Sequence, residues 1–346
     1  MGSSRVPGLL YTAAAVTALA AALAARGAGR PESHRERRET GPQHHERRAP
    51  GTFPTCAAPS RQRAPARVHA SEPTAEVEAH VEAARTFSHS SALLALSVLA
   101  DSAMEHYRGS FDNPAMFTPL VSASLSLAAG LHGGADRRGQ THRARHAIYL
   151  AAAATGIAGT GFHFYNVMKR PGGWSWNNLF HAAPLGAPSA LLLSGALGAV
   201  AERLRDEPAD DPQLLGMPAG QALGLLVAAG LVGTVGEAAL LHFRGAFQHR
   251  AMYAPVSIAP ITAALLAHAA LSAPRERWYT RLWLRITTVL GLVGAGFHAR
   301  GIARRQGGWR NWSQNLFDGP PLPAPPSFSA LALAGLAALR LRESEK

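Results

Sequence analysis

"HYRGSFDNPAMFTP", residues 106–119, returns later in the chain as "HFRGAFQHRAMYAP", residues 242–255. Each copy is short, polar and aromatic, and each stands between two long apolar runs. Examples of such runs are "ALGLLVAAGLVGTVGEAALLHF", from Ala222, and "ARHAIYLAAAATGIAGTGFHFYNV", from Ala144. Both approach or exceed the roughly 20 residues an α-helix needs to cross a bilayer. A phrase repeated between such runs has the form of a corner joining two membrane helices.

The order of features around the two phrases also repeats. Apolar spans are expected near 90–109, 115–132, 145–166 and 187–203, and again near 222–243, 251–271, 282–303 and 327–342. In one register Asp101 aligns with Glu237, His106 with His242, Arg108 with Arg244, Met116 with Met252, Pro119 with Pro255 and His132 with His268, and after a shift of one residue His163 aligns with His298. "GFHFYNVMKRPGGW" is likewise echoed by "GFHARGIARRQGGW". Ala/Leu bias alone does not produce so many matches in one frame, so the chain carries a tandem duplication.

The expected fold is therefore all-α: a polytopic membrane protein of two tandem four-helix units and about eight transmembrane helices. Four spans return the chain to its starting side, so both units insert alike, related by a parallel pseudo-two-fold axis along the membrane normal. The boundaries are 89–205 for the first unit, 206–220 for a linker and 221–346 for the second. Residues 26–88, crowded with Arg, His, Glu and Pro, read as a disordered basic arm. Residues 1–25 read as a signal anchor or as a start site assigned too far upstream.

The formal charge of +12 comes partly from that arm. A basic membrane protein meets anionic lipid and retains its Arg-rich loops in the cytoplasm, and no nucleic-acid recognition motif accompanies the Arg run. The bilayer is the expected partner, and nucleic acid is not. Cys56 is the single cysteine, so no disulfide framework, zinc knuckle or thiol pair can be built. The connectors "HGGADRRGQTHRARH" and "SAPRERWYTR" put the Arg-rich side in the cytoplasm of a bacterial inner membrane, and the repeated corners on the exoplasmic face.

Two groups of residues carry chemistry. Asp101 and Glu237 lie about two turns, roughly 10 Å, below the boundary set by Arg108 and Arg244, where a carboxylate is expensive unless it faces a bundle interior. With Glu105 they suggest a charge network of Asp101, Glu105, Arg108, Glu237 and Arg244 along the helix ends. His106 and His163, and equally His242 and His298, end diagonal spans at similar depth. Paired imidazoles across a bundle suit the axial positions of a haem iron or a transition metal, while the plainer alternative is an imidazole bonded to a loop carbonyl. His132 and His268 read as interfacial. Met116 and Met252 read as core packing rather than a copper path. The Gly-Gly-Trp loops, with Asn178-Leu179-Phe180 and Asn315-Leu316-Phe317, read as short lids anchored by tryptophan.

The HYRG phrase with the GFH and GGW phrases, in a doubled four-span unit, resembles bacterial inner-membrane proteins of unassigned function. At the level of architecture, the diagonal histidines resemble b-type cytochrome membrane subunits. That resemblance implies a haem b held by His106, His163, His242 and His298 and a periplasmic oxidoreductase as partner. It departs from the common arrangement of two histidines about fourteen residues apart on one helix. The alternative functions are a secondary transporter with Asp101 and Glu237 as coupling residues, and a membrane enzyme acting on a lipid-type substrate.

Overall fold

The computed structural model describes residues 75–181, 184–206 and 212–345. The expected segment at 1–25 and most of the basic arm lie outside the described residues. Helix α1 spans Ala75–Arg108, beginning inside the stretch assigned to the arm. It is followed by α2 (Thr118–Ala135), α3 (Arg143–Met168), the short α4 (Trp176–His181) and α5 (Gly186–Asp206). After a two-residue antiparallel pairing of Gln213–Leu214 with Met217–Pro218 come α6 (Ala219–Arg244), α7 (Tyr253–Leu271), α8 (Trp278–Ala303), the short α9 (Trp312–Phe317) and α10 (Pro326–Ser344).

The chain is an all-α, multi-pass membrane protein. Five of its helical segments are long and apolar enough to cross a bilayer: Pro114–Ala135, Arg143–Met168, Ala219–Arg244, Arg250–Leu271 and Trp278–Ala303. The other three expected spans fall on α1, α5 and α10, which are helical but less apolar. Their packing explains the difference. Helix α1 packs on α2, α5 and α10, helix α5 packs on α3 and α1, and α10 packs on α6, α8 and α1. A helix surrounded by protein can carry Ser, Glu and Arg that a lipid-facing helix cannot. Ser91 of α1 and Ser194 of α5 are such residues, and with Ser126 of α2 they form a buried hydroxyl cluster, with Ser91–Ser194 at 3.2 Å and Ser126–Ser194 at 2.9 Å.

Within the first half α1 touches α2 and α5, and α3 touches the same two. The second half repeats the pattern, with α6 touching α7 and α10, and α8 touching both of those. Glycine sets the closest crossings, and does so at matched places. A Cβ on Gly156 of α3 would overlap the Leu192 backbone of α5, and one on Gly291 of α8 would overlap Ser329 of α10. Gly198 receives the ring of Tyr149 against its Cα, and Gly335 receives Leu284 in the same way. Small residues let backbones approach where no hydrophobic drive separates helix from lipid.

Candidate functional site

The two repeated phrases are tight corners with one geometry. Ser110 and Phe111 have φ of 57° and 48°, and Ala246 and Phe247 have φ of 52° and 45°. A non-glycine residue in the left-handed region costs roughly 1–2 kcal/mol, so each corner must be held by its surroundings. Phe111 stacks on Phe117 at 4.5 Å and Phe247 on Tyr253 at 4.6 Å. Asn113 caps the next turn through Oδ1, and His249 replaces it in the second copy by accepting the Ala251 N–H at its Nδ1. Asp-Asn-Pro and Gln-His-Arg thus differ in sequence yet close the same turn.

All four expected histidines use Nδ1 in the same way. His106 bonds the Met116 carbonyl at 2.7 Å, His242 the Met252 carbonyl at 2.8 Å, His163 the Pro184 carbonyl at 2.5 Å and His298 the Pro321 carbonyl at 2.7 Å. A carbonyl only accepts, so Nδ1 carries the proton, and a neutral imidazole keeps its lone pair on Nε2. His106 lies within electrostatic range of His163, as His242 does of His298. Among the described residues no group of three or more His, Cys, Asp or Glu is placed to hold a metal ion.

The expected charge network is only partly assembled. Arg108 pairs with Glu105 at 2.7 Å, three residues away, and not with Asp101. In the second half Leu241 stands where Glu105 does, and Arg244 turns instead over the Phe180 ring, its Cζ 5.6 Å from the centroid. Asp101 and Glu237 come within electrostatic range of each other, from α1 and α6. Besides the loss of Glu105, their surroundings differ at one loop position. The peptide N–H of Gly186 faces the Glu237 carboxylate, whose Cγ is 3.0 Å from where a Gly186 Cβ would sit. The matching residue is Pro323, which has no N–H. Its carbonyl instead accepts the Ser97 hydroxyl, and Asp101 makes no hydrogen bond among the described residues.

The lids are braced identically. Gly172 and Gly173, with φ of 88° and 56°, are matched by Gly307 and Gly308, at 80° and 50°. Buried Asn178 donates to the carbonyls of Pro171 and Gly173 at 3.1 and 2.8 Å, and Asn315 to those of Gln306 and Gly308 at the same distances. The aromatic residue of each corner then reaches the other half's lid: Tyr107 stacks on Phe317 at 4.9 Å, and Phe243 meets Phe180 edge-on at 5.8 Å.

The opposite, Arg-rich face holds a buried charged cluster consistent with a functional site, one that sequence reasoning did not single out. Arg145, 2% exposed, donates from Nε and Nη2 to the two oxygens of the fully buried Glu202 at 2.8 and 3.0 Å. It also pairs with Asp136 at 2.7 Å, while the His142 N–H donates to Glu202 at 2.8 Å. Arg205 donates to the carbonyls of Gly133, Asp136 and Arg138, capping the C-terminal end of α2. Burial alone would raise the Asp136 carboxyl. The Arg145 hydrogen bond, the Arg138 N–H and the charges of Arg145 and Arg205 outweigh it and hold Asp136 below the usual carboxylate range. The available signal was Glu202 itself, an acid at the end of an apolar span among loops rich in arginine. The second half has its own version with other residues: Arg342 caps α7 through the Ala270 and Ser272 carbonyls, and Glu343 pairs with Arg281 and accepts the Arg277 N–H at 2.9 Å, although Thr280 stands where Arg145 does.

Compared with family models, curated proteins and solved structures, the chain matches none. Its function must be argued from the site.

Proposed function

We propose that the chain is a redox subunit of the bacterial inner membrane, made of two tandem four-helix units (89–205 and 221–346) whose eight spans are related by a pseudo-two-fold axis along the membrane normal. The repeated corners face the exoplasm, and each unit holds a haem b between two imidazoles, His106 with His163 and His242 with His298. The observation that carries this is the fourfold use of Nδ1 on a backbone carbonyl. A ligating histidine characteristically donates its other ring nitrogen to such an acceptor, which fixes the ring and raises the basicity of Nε2.

The donor set favours haem over a bare transition metal. Two imidazoles leave a metal ion's shell unfilled and no third protein ligand is at hand among the described residues, whereas a haem iron asks less of the protein. When bound, the group would supply one-electron transfer between a periplasmic oxidoreductase and quinone. The residues of this chain would orient the imidazoles and, through the lids, limit water. A secondary transporter is the second reading, supported by the approach of Asp101 to Glu237 between the two halves.

The test is an absorption spectrum, pyridine haemochrome assay and metal analysis of detergent-purified protein. A Soret band is expected, with about half of the haem lost in His163→Ala and about half in His298→Ala. Colourless, metal-free protein from haem-replete cells would overturn the proposal.

A further inference from the structure

The Arg-rich face carries an open cleft of about 340 Å³ between the C-terminal end of α2 and the N-terminal end of α3, lined by His132, Ala135, Asp136, Arg138 and His142. The charges within and behind it do not balance. Asp136 and Glu202 supply two carboxylates, and Arg145 and Arg205 two guanidiniums, all four engaged with one another or with backbone. Arg138 is additional. Its backbone N–H is given to Asp136 and its carbonyl to Arg205, but its guanidinium meets no side-chain partner among the described residues.

The two histidines stand edge to face at 5.5 Å across this space. His142 accepts the Arg145 N–H at Nδ1, so its neutral ring presents an Nε2–H donor. The one carboxylate in the wall is already occupied by Arg145 and the Arg138 N–H, so the cleft offers an incoming group cationic and donor character. A metal cation would meet the Arg138 charge and, among the described residues, no set of three ligands. Leu131, next to His132 on α2, and Leu150, about two turns beyond His142 on α3, are exposed apolar residues on helices apolar enough to cross a bilayer.

We infer that this cleft binds the phosphate headgroup of an anionic membrane lipid, with Arg138 pairing to the phosphate, His132 and His142 flanking it, and the acyl chains lying along Leu131 and Leu150. Basic pockets between membrane helices at a charged face recognise lipid headgroups in this way, and the adjoining apolar surface distinguishes a lipid from a free anion. The second half lacks the cleft's elements, since Ser272 replaces Asp136 and bonds His268 through its own hydroxyl. One such site per chain is expected. It is independent of the haem proposal, because no residue is shared.

The test uses native mass spectrometry of the full chain in detergent, titrated with dioleoylphosphatidylglycerol or dioleoylphosphatidylcholine. Tighter retention of the anionic lipid is expected. Arg138→Gln, an exposed change that keeps the backbone bonds, should weaken that preference about fivefold, the effect of one basic residue near an anionic surface. Arg275→Gln, on the exposed α7–α8 connector, should leave it unchanged. Equal lipid preference in Arg138→Gln and wild type would overturn the inference. So would millimolar inorganic phosphate stabilising the protein against heat as strongly as the anionic lipid, which would assign the cleft to a free anion.

Discussion

Glu202 provides the sharpest test of how the Arg-rich face is held together. Its side chain is fully buried and accepts three short charge-assisted bonds, two from Arg145 and one from the His142 N–H. Replacing it by alanine leaves the Arg145 guanidinium, itself 2% exposed, with Asp136 as its only carboxylate. Removing one partner of a buried pair strands the other in low dielectric and costs about 3–5 kcal/mol. Glu202→Gln, which keeps the volume, isolates the charge contribution and should fall at the low end of that range. The double replacement Arg145→Met with Glu202→Leu should recover most of the loss. Asp136 keeps the Arg138 N–H and some solvent, and Arg205 keeps its three carbonyls. Reversible unfolding in detergent micelles, run as a double-mutant cycle, measures all of these quantities. A Glu202→Ala protein within about 1 kcal/mol of wild type, or a double mutant costing the sum of the two singles, would refute the reasoning.

Gly198→Ala should destabilise by about 1–3 kcal/mol, because even a Cβ there overlaps the Tyr149 ring in a close-packed crossing. Gly161→Ala, with nothing within 4 Å, should be near neutral in the same unfolding assay. Asp136 gives a pH dependence of known sign. Its folded carboxyl titrates below its unfolded value near 3.9, so its contribution is fully present above that pH and is lost as pH falls through the depressed folded value. Stability measured from pH 6 to pH 3 should fall less steeply in Asp136→Asn than in wild type.

The apolar runs and the repeated phrase made the helices and their order legible, because both depend on patterns the chain writes out in full. Helices α1, α5 and α10 are expected as spans like the rest, but they are less apolar than the other five, since each packs on several neighbouring helices and its polar residues find partners inside. Helix geometry explains the charge network as well. A separation of seven residues puts Asp101 and Arg108 on one face, but two turns apart, about 10.5 Å along the axis. Glu105 at three residues is the nearer partner and takes the arginine. The histidines were found from their duplication, yet their carbonyl partners Met116, Pro184, Met252 and Pro321 depend on how the next loop folds back. The Arg145–Glu202 pair is hidden in the sequence because arginine near a span end signals orientation, and a topological signal says nothing of which arginine turns inward.

The reciprocal contacts at the corners have a consequence for the origin of the chain. Tyr107 of the first half rests on Phe317 of the second, and Phe243 of the second rests on Phe180 of the first. A patch A that meets patch B while B meets A is the form of an isologous interface, the kind that joins identical subunits about a two-fold axis. A polypeptide holding one half alone would carry both patches and would complete them only on a second copy of itself. The two halves thus meet, within one chain, by the kind of contact that joins the subunits of a homodimer. The join releases each side to change separately, and the exchange of Gly186 for Pro323 beside the two acids is the kind of asymmetry that a true homodimer could not have kept.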